Sequence, residues 1–229
     1  MATSFEEYRQ EYLEDVRINA QIDGTLPDEY FFSDALEKLS AMGELVDPRI
    51  KPTQKRCRNG RIMSFDAFGF DESDKSVVLI SNDFKDAVDA TLTRTEIDTI
   101  KTRMLNFIQE AYDEKLADFF DITDEMLSVG RNIGKRMRVD YVDLENDDSI
   151  DNIKLFIVTN KKLSEQVTSL KSDDFLGKKV ELNVWSIRRF YDLYQSGRDR
   201  EPIIINAEKY GFAGIPCIKA EMSGNLDYD

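Results

Sequence analysis

The residues in this sequence that could do chemistry are acids at the ends of short apolar segments. Asp66 interrupts the apolar run 62–70, and Asp83 follows the β-branched run 76–81. Glu29 falls in the first turn of an amphipathic segment, and Lys85 comes two residues after Asp83. Carboxylates can hold a divalent metal ion that lowers the pKa of a bound water, and a lysine can position or activate that water. These residue types suit metal-assisted hydrolysis, with Asp66 and Asp83 as a candidate carboxylate pair.

Each of these acids also has an ordinary structural interpretation. An aspartate on a strand is often a solvated edge residue, and one at a strand end, such as Asp83, is often a turn or helix-cap acid. Glu29 is favoured in a first helical turn by the helix dipole whatever else it does. Both interpretations of each acid stay open at the level of the sequence.

The composition removes several other kinds of active site. Because none of the 229 residues is histidine, imidazole bases, Ser-His and Cys-His pairs and histidine metal ligands are excluded. Cys57 and Cys217 are too far apart for a C-x-x-C motif, so neither a disulfide framework nor a zinc site is expected. The remaining cofactor that fits is a hard, oxygen-liganded metal such as Mg²⁺, and only if the site is catalytic.

Charge is distributed unevenly along the chain. The formal net charge is −14 at pH 7, which argues against broad adhesion to nucleic acid. Two local basic patches nevertheless could hold phosphates. The candidate nucleic-acid-binding residues in them are Lys55, Arg56, Arg58, Arg61, Arg131, Lys135 and Arg136. The alternative is that these cations form solvated loops that balance nearby acids.

The order of predicted elements indicates an α/β domain with a mixed sheet and flanking helices. Capping boxes at Ser4/Glu7 and Thr93/Glu96 predict two helix starts, and Pro27 suits the first turn of another helix. The segment 61–84 predicts a β-hairpin with an acidic turn, and 153–160 and 179–185 predict further strands. Additional strand candidates are 202–206 and 215–222. The stretch 49–61 is expected to be a basic loop.

The predicted site resembles a known nuclease plan. A helix acid, a hairpin with an acid on its first strand and an acid-x-Lys on its second strand form the PD-(D/E)xK arrangement of restriction-endonuclease-like cores. In this sequence Ser81 falls at the second acid position and Asp83 falls where the lysine belongs. Lys85 is two residues late, so it is only a weak substitute.

Several segments in order also resemble the N-terminal region of AIPR proteins, the abortive infection phage resistance family. They are 28–48, 49–61, 65–84, 154–167 and 180–193, and the similarity extends from about Asp28 to the last residue. The resemblance implies a bacterial anti-phage role, a restriction-endonuclease-like fold and a larger region after this one. It assigns Asp66 as the first-strand carboxylate and Glu29 as the helix acid. It also implies that Asp66, Asp83 and Glu29 would be the ligands of a metal, with Lys85 completing the catalytic set.

The predicted function is therefore a nuclease-like domain with a degenerate active site that binds nucleic acid or the C-terminal region of the same protein. One alternative is an active Mg²⁺-dependent phosphodiesterase using an altered acidic cluster, and another is a structural or sensor module. Losing the lysine would reduce a hydrolysis rate by roughly 10²–10⁴. Residues 1–90 are expected to supply the helices and hairpin, and 91–229 the long helix and remaining sheet of the same domain. The chain has no membrane-spanning candidate, and a cytoplasmic protein, with oligomerisation left open, is expected.

Overall fold

A computed structural model of the chain describes residues 4–57, 60–138, 148–165, 167 and 173–198. These residues form a six-stranded mixed sheet with flanking helices, which confirms the α/β prediction. The α-helices are α1 (Phe5–Asp23), α2 (Pro27–Ala41), α3 (Arg94–Tyr112), α4 (Glu125–Met137) and α5 (Ile187–Arg198), and Leu116–Asp118 is a 3₁₀ helix. The strands are β1 (Arg49–Arg56), β2 (Ile62–Asp71), β3 (Ser76–Asn82), β4 (Thr91–Leu92), β5 (Asn152–Val158), β6 (Lys162–Leu163), β7 (Asp173–Phe175) and β8 (Lys178–Trp185).

The topology of the sheet places the candidate acids at one edge. The strand order is β1-β2-β3-β5-β8-β7, and β4 and β6 form a separate parallel pair. Strands β1 to β3 are antiparallel neighbours, whereas β5 and β8 run parallel to β3. Asn82 lies beside Val158, and Val158 lies beside Trp185, so the carboxyl ends of three strands meet. Because Ala67 lies opposite Ile80, Asp66 on the antiparallel β2 is at the same edge.

Local sequence signals explain where the helices start. Glu7 N donates to Ser4 Oγ at 3.2 Å and Ser4 N donates to Glu7 Oε2 at 2.9 Å, which confirms the predicted capping box of α1. Thr93 and Glu96 make the same reciprocal bonds at the start of α3. Such caps satisfy backbone N–H groups that the helix itself cannot pair. Helix α1 then ends at Gly24, whose φ of 68° is a conformation that glycine adopts without strain.

Helices cover the sheet on both faces, and each face has its own apolar core. One core joins α3 and α4 to inward residues of the central strands, including Phe65, Phe107 and Leu155. The other joins α1, α2 and α5 to the opposite face, including Phe31, Phe156 and Phe190. Burying both faces requires strands that are apolar on both sides, as parallel central strands are. Strand β3 accordingly has six buried residues in succession.

The basic stretch that follows α2 is a strand and not the predicted loop. Residues Arg49–Arg56 form β1, an outer strand of the sheet that pairs with β2. The loop prediction was wrong because Thr53 is the only buried residue of this strand, so it lacks the apolar alternation that marks a strand. Pro52 is compatible with this position because, among the described strands, the outer edge of β1 has no partner that would need its missing N–H.

Two glycines set the distance between α4 and its neighbours. A Cβ atom on Gly134 would lie 2.2 Å from the backbone oxygen of Ala111 on α3, and one on Gly130 would lie 1.9 Å from Leu116 Cδ1. Gly134 therefore cannot accept a side chain at the present helix spacing, and a side chain at Gly130 would require Leu116 to move. The close approach brings the basic residues of α4 beside the end of α3.

The chain divides into a unit Met1–Tyr194 and a unit Gln195–Asp229, and of the second unit only 195–198 are described. The strand candidates 202–206 and 215–222, together with Cys217, lie outside the described residues. Strands from both predicted segments, 1–90 and 91–229, pair in the one sheet. Within the described ranges no helix has the length and apolar character needed to cross a bilayer.

Candidate functional site

Asp66 is half-buried at the carboxyl edge of the sheet and is fixed by the end of β3. Its Oδ2 accepts a hydrogen bond from the backbone N–H of Asn82 at 2.8 Å and lies 3.4 Å from Ser81 Oγ, which also donates to it. Burial raises the pKa of the Asp66 carboxyl, the two hydrogen bonds oppose that rise, and the charge of Asp28 adds to it. The ionised form is therefore held at a cost in free energy, as is common for functional carboxylates.

Asp83 stands at the position where the nuclease plan has a lysine, and it pairs with a lysine from another strand end. Lys161 Nζ lies 2.9 Å from Asp83 Oδ1, and Thr159 Oγ1 lies 3.2 Å from Asp83 Oδ2. Both charged side chains are largely buried, with relative exposures of 11% for Lys161 and 18% for Asp83. Burial raises the pKa of Asp83, although Lys161 lowers it. Glu96 Oε1 is a second carboxylate near Lys161 Nζ, at 3.7 Å.

Lys85, the predicted substitute for the missing lysine, contributes its backbone here. Its N–H donates to Asn160 Oδ1 at 2.8 Å, and its carbonyl accepts from Asn160 Nδ2 at 2.7 Å. This pair of bonds joins the segment after β3 to the segment after β5. The Lys85 side chain is exposed, and the ammonium beside Asp83 belongs to Lys161 instead.

The helix acid that acts on Asp66 is Asp28, the neighbour of the predicted Glu29. Glu29 Oε2 accepts from the backbone N–H of Leu26 at 3.2 Å, so it serves as the cap of α2. Asn82 Nδ2 donates to the backbone oxygen of Asp28 at 3.0 Å, which brings the start of α2 to the end of β3. The opposite side-chain atom, Asn82 Oδ1, is buried and has no hydrogen-bond partner among the described residues.

The described residues do not supply a set of acids that fits a divalent metal. Glu29 is used as a helix cap and Asp83 is paired with Lys161, which leaves Asp66 with the nearby charge of Asp28. No group of three or more Cys, His, Asp or Glu residues suited to a metal ion occurs within the ranges that the structure covers. The predicted ligand set Glu29, Asp66 and Asp83 is therefore not gathered around one point.

Some of the predicted basic residues contact described side chains, and a second, exposed group does not. Arg61 Nη2 lies 3.1 Å from Glu110 Oε1, and Lys55 Nζ lies 5.2 Å above the Phe120 ring. Arg136 is buried, and its guanidinium binds Glu72 through both terminal nitrogens, so it is not available to a phosphate. Arg58 lies outside the described residues.

The exposed group consists of Arg56, Arg131 and Lys135. None of the three makes an ion pair with any residue that the structure describes. Arg131 and Lys135 are one helical turn apart on α4 and line a pocket of about 390 Å³, together with Arg138 and Glu114. These cations are the ones that remain available to an anion.

Sequence reasoning missed Lys161, Thr159 and Asp28. Lys161 and Thr159 follow the buried strand β5, which is parallel to β3. Polar residues after two parallel neighbours meet at one edge, so the segment 159–161 carried a usable signal once the pairing of β3 with β5 was assumed. Asp28 precedes Glu29 in the same first helical turn, and no sequence pattern separates the two.

Comparisons with known proteins agree with this picture at the level of the family. No curated protein and no solved structure matches the chain. The family described as "Abortive infection phage resistance protein N-terminal domain" matches residues 31–192, which is more than half of the chain. The match includes α2 from its second turn, the whole sheet and the first half of α5, and hence Asp66, Asp83 and Lys161. The chain belongs to the family of abortive infection phage resistance protein N-terminal domains.

Proposed function

We propose that this chain is the N-terminal domain of an anti-phage defence protein, and that its endonuclease-like core binds nucleic acid without cutting it. The family membership supports the defence role. The order of α2, β2 and β3, with Asp66 on the first strand of the hairpin, agrees with the nuclease plan. Ser81 and Asp83 depart from that plan at two positions that would perform hydrolysis.

The pair Asp83–Lys161 is the observation that carries the proposal. Where the plan needs a free lysine beside metal-binding acids, this protein has a carboxylate whose Oδ1 is 2.9 Å from an ammonium. Thr159 Oγ1 donates a hydrogen bond to the same Asp83 carboxylate, and Glu96 lies near Lys161 Nζ. A lysine that is neutralised in this way cannot supply its charge to a reacting phosphate, and Ser81 cannot replace the second metal-binding acid.

Binding is supported by the exposed cations. Arg56 on β1 and Arg131 and Lys135 on α4 are not neutralised by any described acid. In a chain with a net charge of −14, unpaired cations at defined positions favour local phosphate contacts over general adhesion. The ligand class is therefore a single- or double-stranded nucleic acid held through its backbone.

Fluorescence anisotropy with the 229-residue chain and labelled 20-nucleotide DNA, RNA and duplex probes tests this proposal. The variant Arg56→Gln/Arg131→Gln/Lys135→Gln should weaken binding about tenfold or more at low salt, and its salt slope should fall by about 0.9 for each phosphate that is no longer neutralised. The matched control Arg94→Gln/Lys179→Gln/Arg188→Gln removes three ion-paired cations and should bind like the parent. Equal weakening in both variants, or no binding to any probe, would refute nucleic-acid binding.

A second candidate function is slow phosphodiester cleavage, which is favoured by the half-buried carboxylate of Asp66 and its raised pKa. It predicts Mg²⁺- or Mn²⁺-dependent cutting of the same probes that is lost in Asp66→Asn and in Lys161→Met. The proposal of a degenerate site predicts instead that the parent and both variants leave the probes intact. Cutting that depends on both residues would show that the site is active and would contradict the proposal of a degenerate site.

A further inference from the structure

The helical face formed by α1, α2 and α5 contains a pocket that the proposed nucleic-acid function does not use. Its volume is about 360 Å³. The rings of Tyr8, Tyr12 and Tyr30 line it, and so do the acids Glu11, Asp15 and Asp34. Aromatic faces combined with carboxylates are the surroundings that a protein offers to an organic cation.

A cation of the protein itself already lies against these groups. Lys38 Nζ is 5.1 Å from the centroid of the Tyr12 ring and 2.6 Å from Asp34 Oδ2. Tyr12 Oη donates to the same carboxylate oxygen at 3.2 Å. The pocket therefore accepts an ammonium group over an aromatic face, and Asp34 is the acid committed to that ammonium.

Two further acids of the pocket remain uncompensated. Glu11 and Asp15 are one turn apart on α1, both are exposed, and neither forms a hydrogen bond or ion pair with a described residue. Like charges at this spacing destabilise a helix. A bound cation between them would remove that repulsion.

The hydroxyl group of Tyr8 is a further unused polar group in this pocket. Tyr8 is only 7% exposed, and its hydroxyl has no hydrogen-bond partner among the described residues. Burial and the nearby charge of Asp34 raise the pKa of Tyr8, so the hydroxyl stays neutral and can accept an N–H donor. The hydroxyl oxygen itself reaches solvent at the pocket, so a bound ligand can donate a hydrogen bond to it.

We propose that this pocket is a binding site for an organic cation, a guanidinium or primary ammonium group. The cation would lie over the tyrosine rings, donate to Glu11 and Asp15, and compete with Lys38 for the face of Tyr12. An arginine or lysine side chain of a polypeptide and a free cationic metabolite share this chemistry. The site is independent of the basic residues on β1 and α4, so either proposal can fail without the other.

Titration of the 229-residue chain with arginine amide, citrulline amide and the peptide Gly-Arg-Gly-amide tests the site. Isothermal calorimetry and backbone amide NMR shifts of α1 and α2 report binding. Arginine amide should bind saturably and citrulline amide, which has the same shape without the charge, should not. Tighter binding of the peptide than of arginine amide would identify a polypeptide ligand, and equal affinity would identify a small molecule.

Substitutions on α1 and α2 distinguish the pocket from general negative charge. Glu11→Gln and Asp15→Asn should each weaken arginine amide about fivefold, and more when combined. Lys38→Met should strengthen it about threefold, because the competing ammonium is gone. Glu14→Gln, an exposed acid on the same helix outside the pocket, should have no effect. Equal binding of citrulline amide, or an equal loss in Glu14→Gln, would overturn the proposal.

Discussion

Two lysines, one near the start of strand β5 and one just after its end, pair with acids. The two pairs differ in the pKa of the acid. Lys154, near the start of the strand, lies 3.1 Å from Asp71 and also contacts Asp74 in the turn of the β2–β3 hairpin. Lys161, after the end of the strand, lies 2.9 Å from Asp83. The hydrogen bonds from Ser73 and Lys154 lower the pKa of Asp71, whereas burial leaves the pKa of Asp83 raised in spite of its lysine.

The difference separates a structural end of the sheet from the end that carries the candidate site. At the turn, ionisation of Asp71 is favoured in the folded state, so the ion pair stabilises the hairpin. At the carboxyl edge, Asp66 and Asp83 both have a raised pKa, so their ionised forms reduce stability. Proteins retain such unfavourable charges at binding sites more often than elsewhere.

Removing the lysine at the structural end should have the largest effect. Lys154→Met leaves Asp71 and Asp74 as neighbouring acids without a cation. We expect the free energy of unfolding at pH 7 to fall by about 2 kcal/mol, less than for a fully buried pair because both acids reach solvent. Urea unfolding measures it. Lys179→Met, which removes an exposed lysine paired with Glu181, should cost less than about 0.5 kcal/mol, and an equal loss in the two variants would contradict the comparison.

Removing the lysine at the end with the candidate site should have a smaller effect that depends on pH. Lys161→Met leaves the Asp83 carboxylate half-buried without its cation, so the pKa of Asp83 should rise further. An acid with a raised folded pKa penalises the folded state above that pKa, and the penalty disappears below the unfolded pKa of about 3.9. We expect a loss of about 1 kcal/mol at pH 7, with the difference from the parent shrinking as the pH falls toward 4.

The double variant Asp83→Asn/Lys161→Met provides the control for this pH dependence. It removes the carboxylate together with the lysine, so stability at pH 7 should recover relative to Lys161→Met alone. A deficit of Lys161→Met that is the same at pH 7 and pH 4 would show that the loss comes from packing instead of charge. Unfolding curves of the three proteins at both pH values make the measurement.

The smallest expected effect separates the two acids at the start of α2. Asp28→Asn should lower the pKa of Asp66, since the charge of Asp28 contributes to its rise. Glu29→Gln should leave that pKa unchanged and cost less than about 0.5 kcal/mol, because a glutamine oxygen can still accept from Leu26 N. An NMR titration of the Asp66 carboxyl carbon measures the pKa of Asp66 in both variants. A lower pKa in Glu29→Gln would restore Glu29 as the helix acid of the site.

The sequence was informative wherever a local pattern determines a local structure. The capping residues Ser4 and Thr93 predicted two helix starts, and the acidic turn between apolar runs predicted the β2–β3 hairpin. Strand β1 escaped the same reasoning because it buries only Thr53. Its pairing depends on backbone groups, which leave no trace in side-chain periodicity.

The candidate site was only partly predictable because its decisive contacts are distant in sequence. Asp66 and Asp83 were found from their positions in the hairpin. Lys161 is separated from Asp83 by 78 positions, and only the parallel pairing of β3 with β5 brings them together. The selection of Asp28 over Glu29 depends on which side of the helix faces the sheet, and the helix dipole favours both acids equally.

Strand β1 has a consequence for how copies of this protein meet. The outer edge of a sheet offers unpaired backbone groups that can recruit a strand from a second molecule. Here the strand has four cationic residues and no acidic residue, and Pro52 lacks a backbone N–H that could donate to another strand. Two such edges would repel each other, so sheet extension between identical copies, and the fibre growth that begins with it, is disfavoured on this side of the domain.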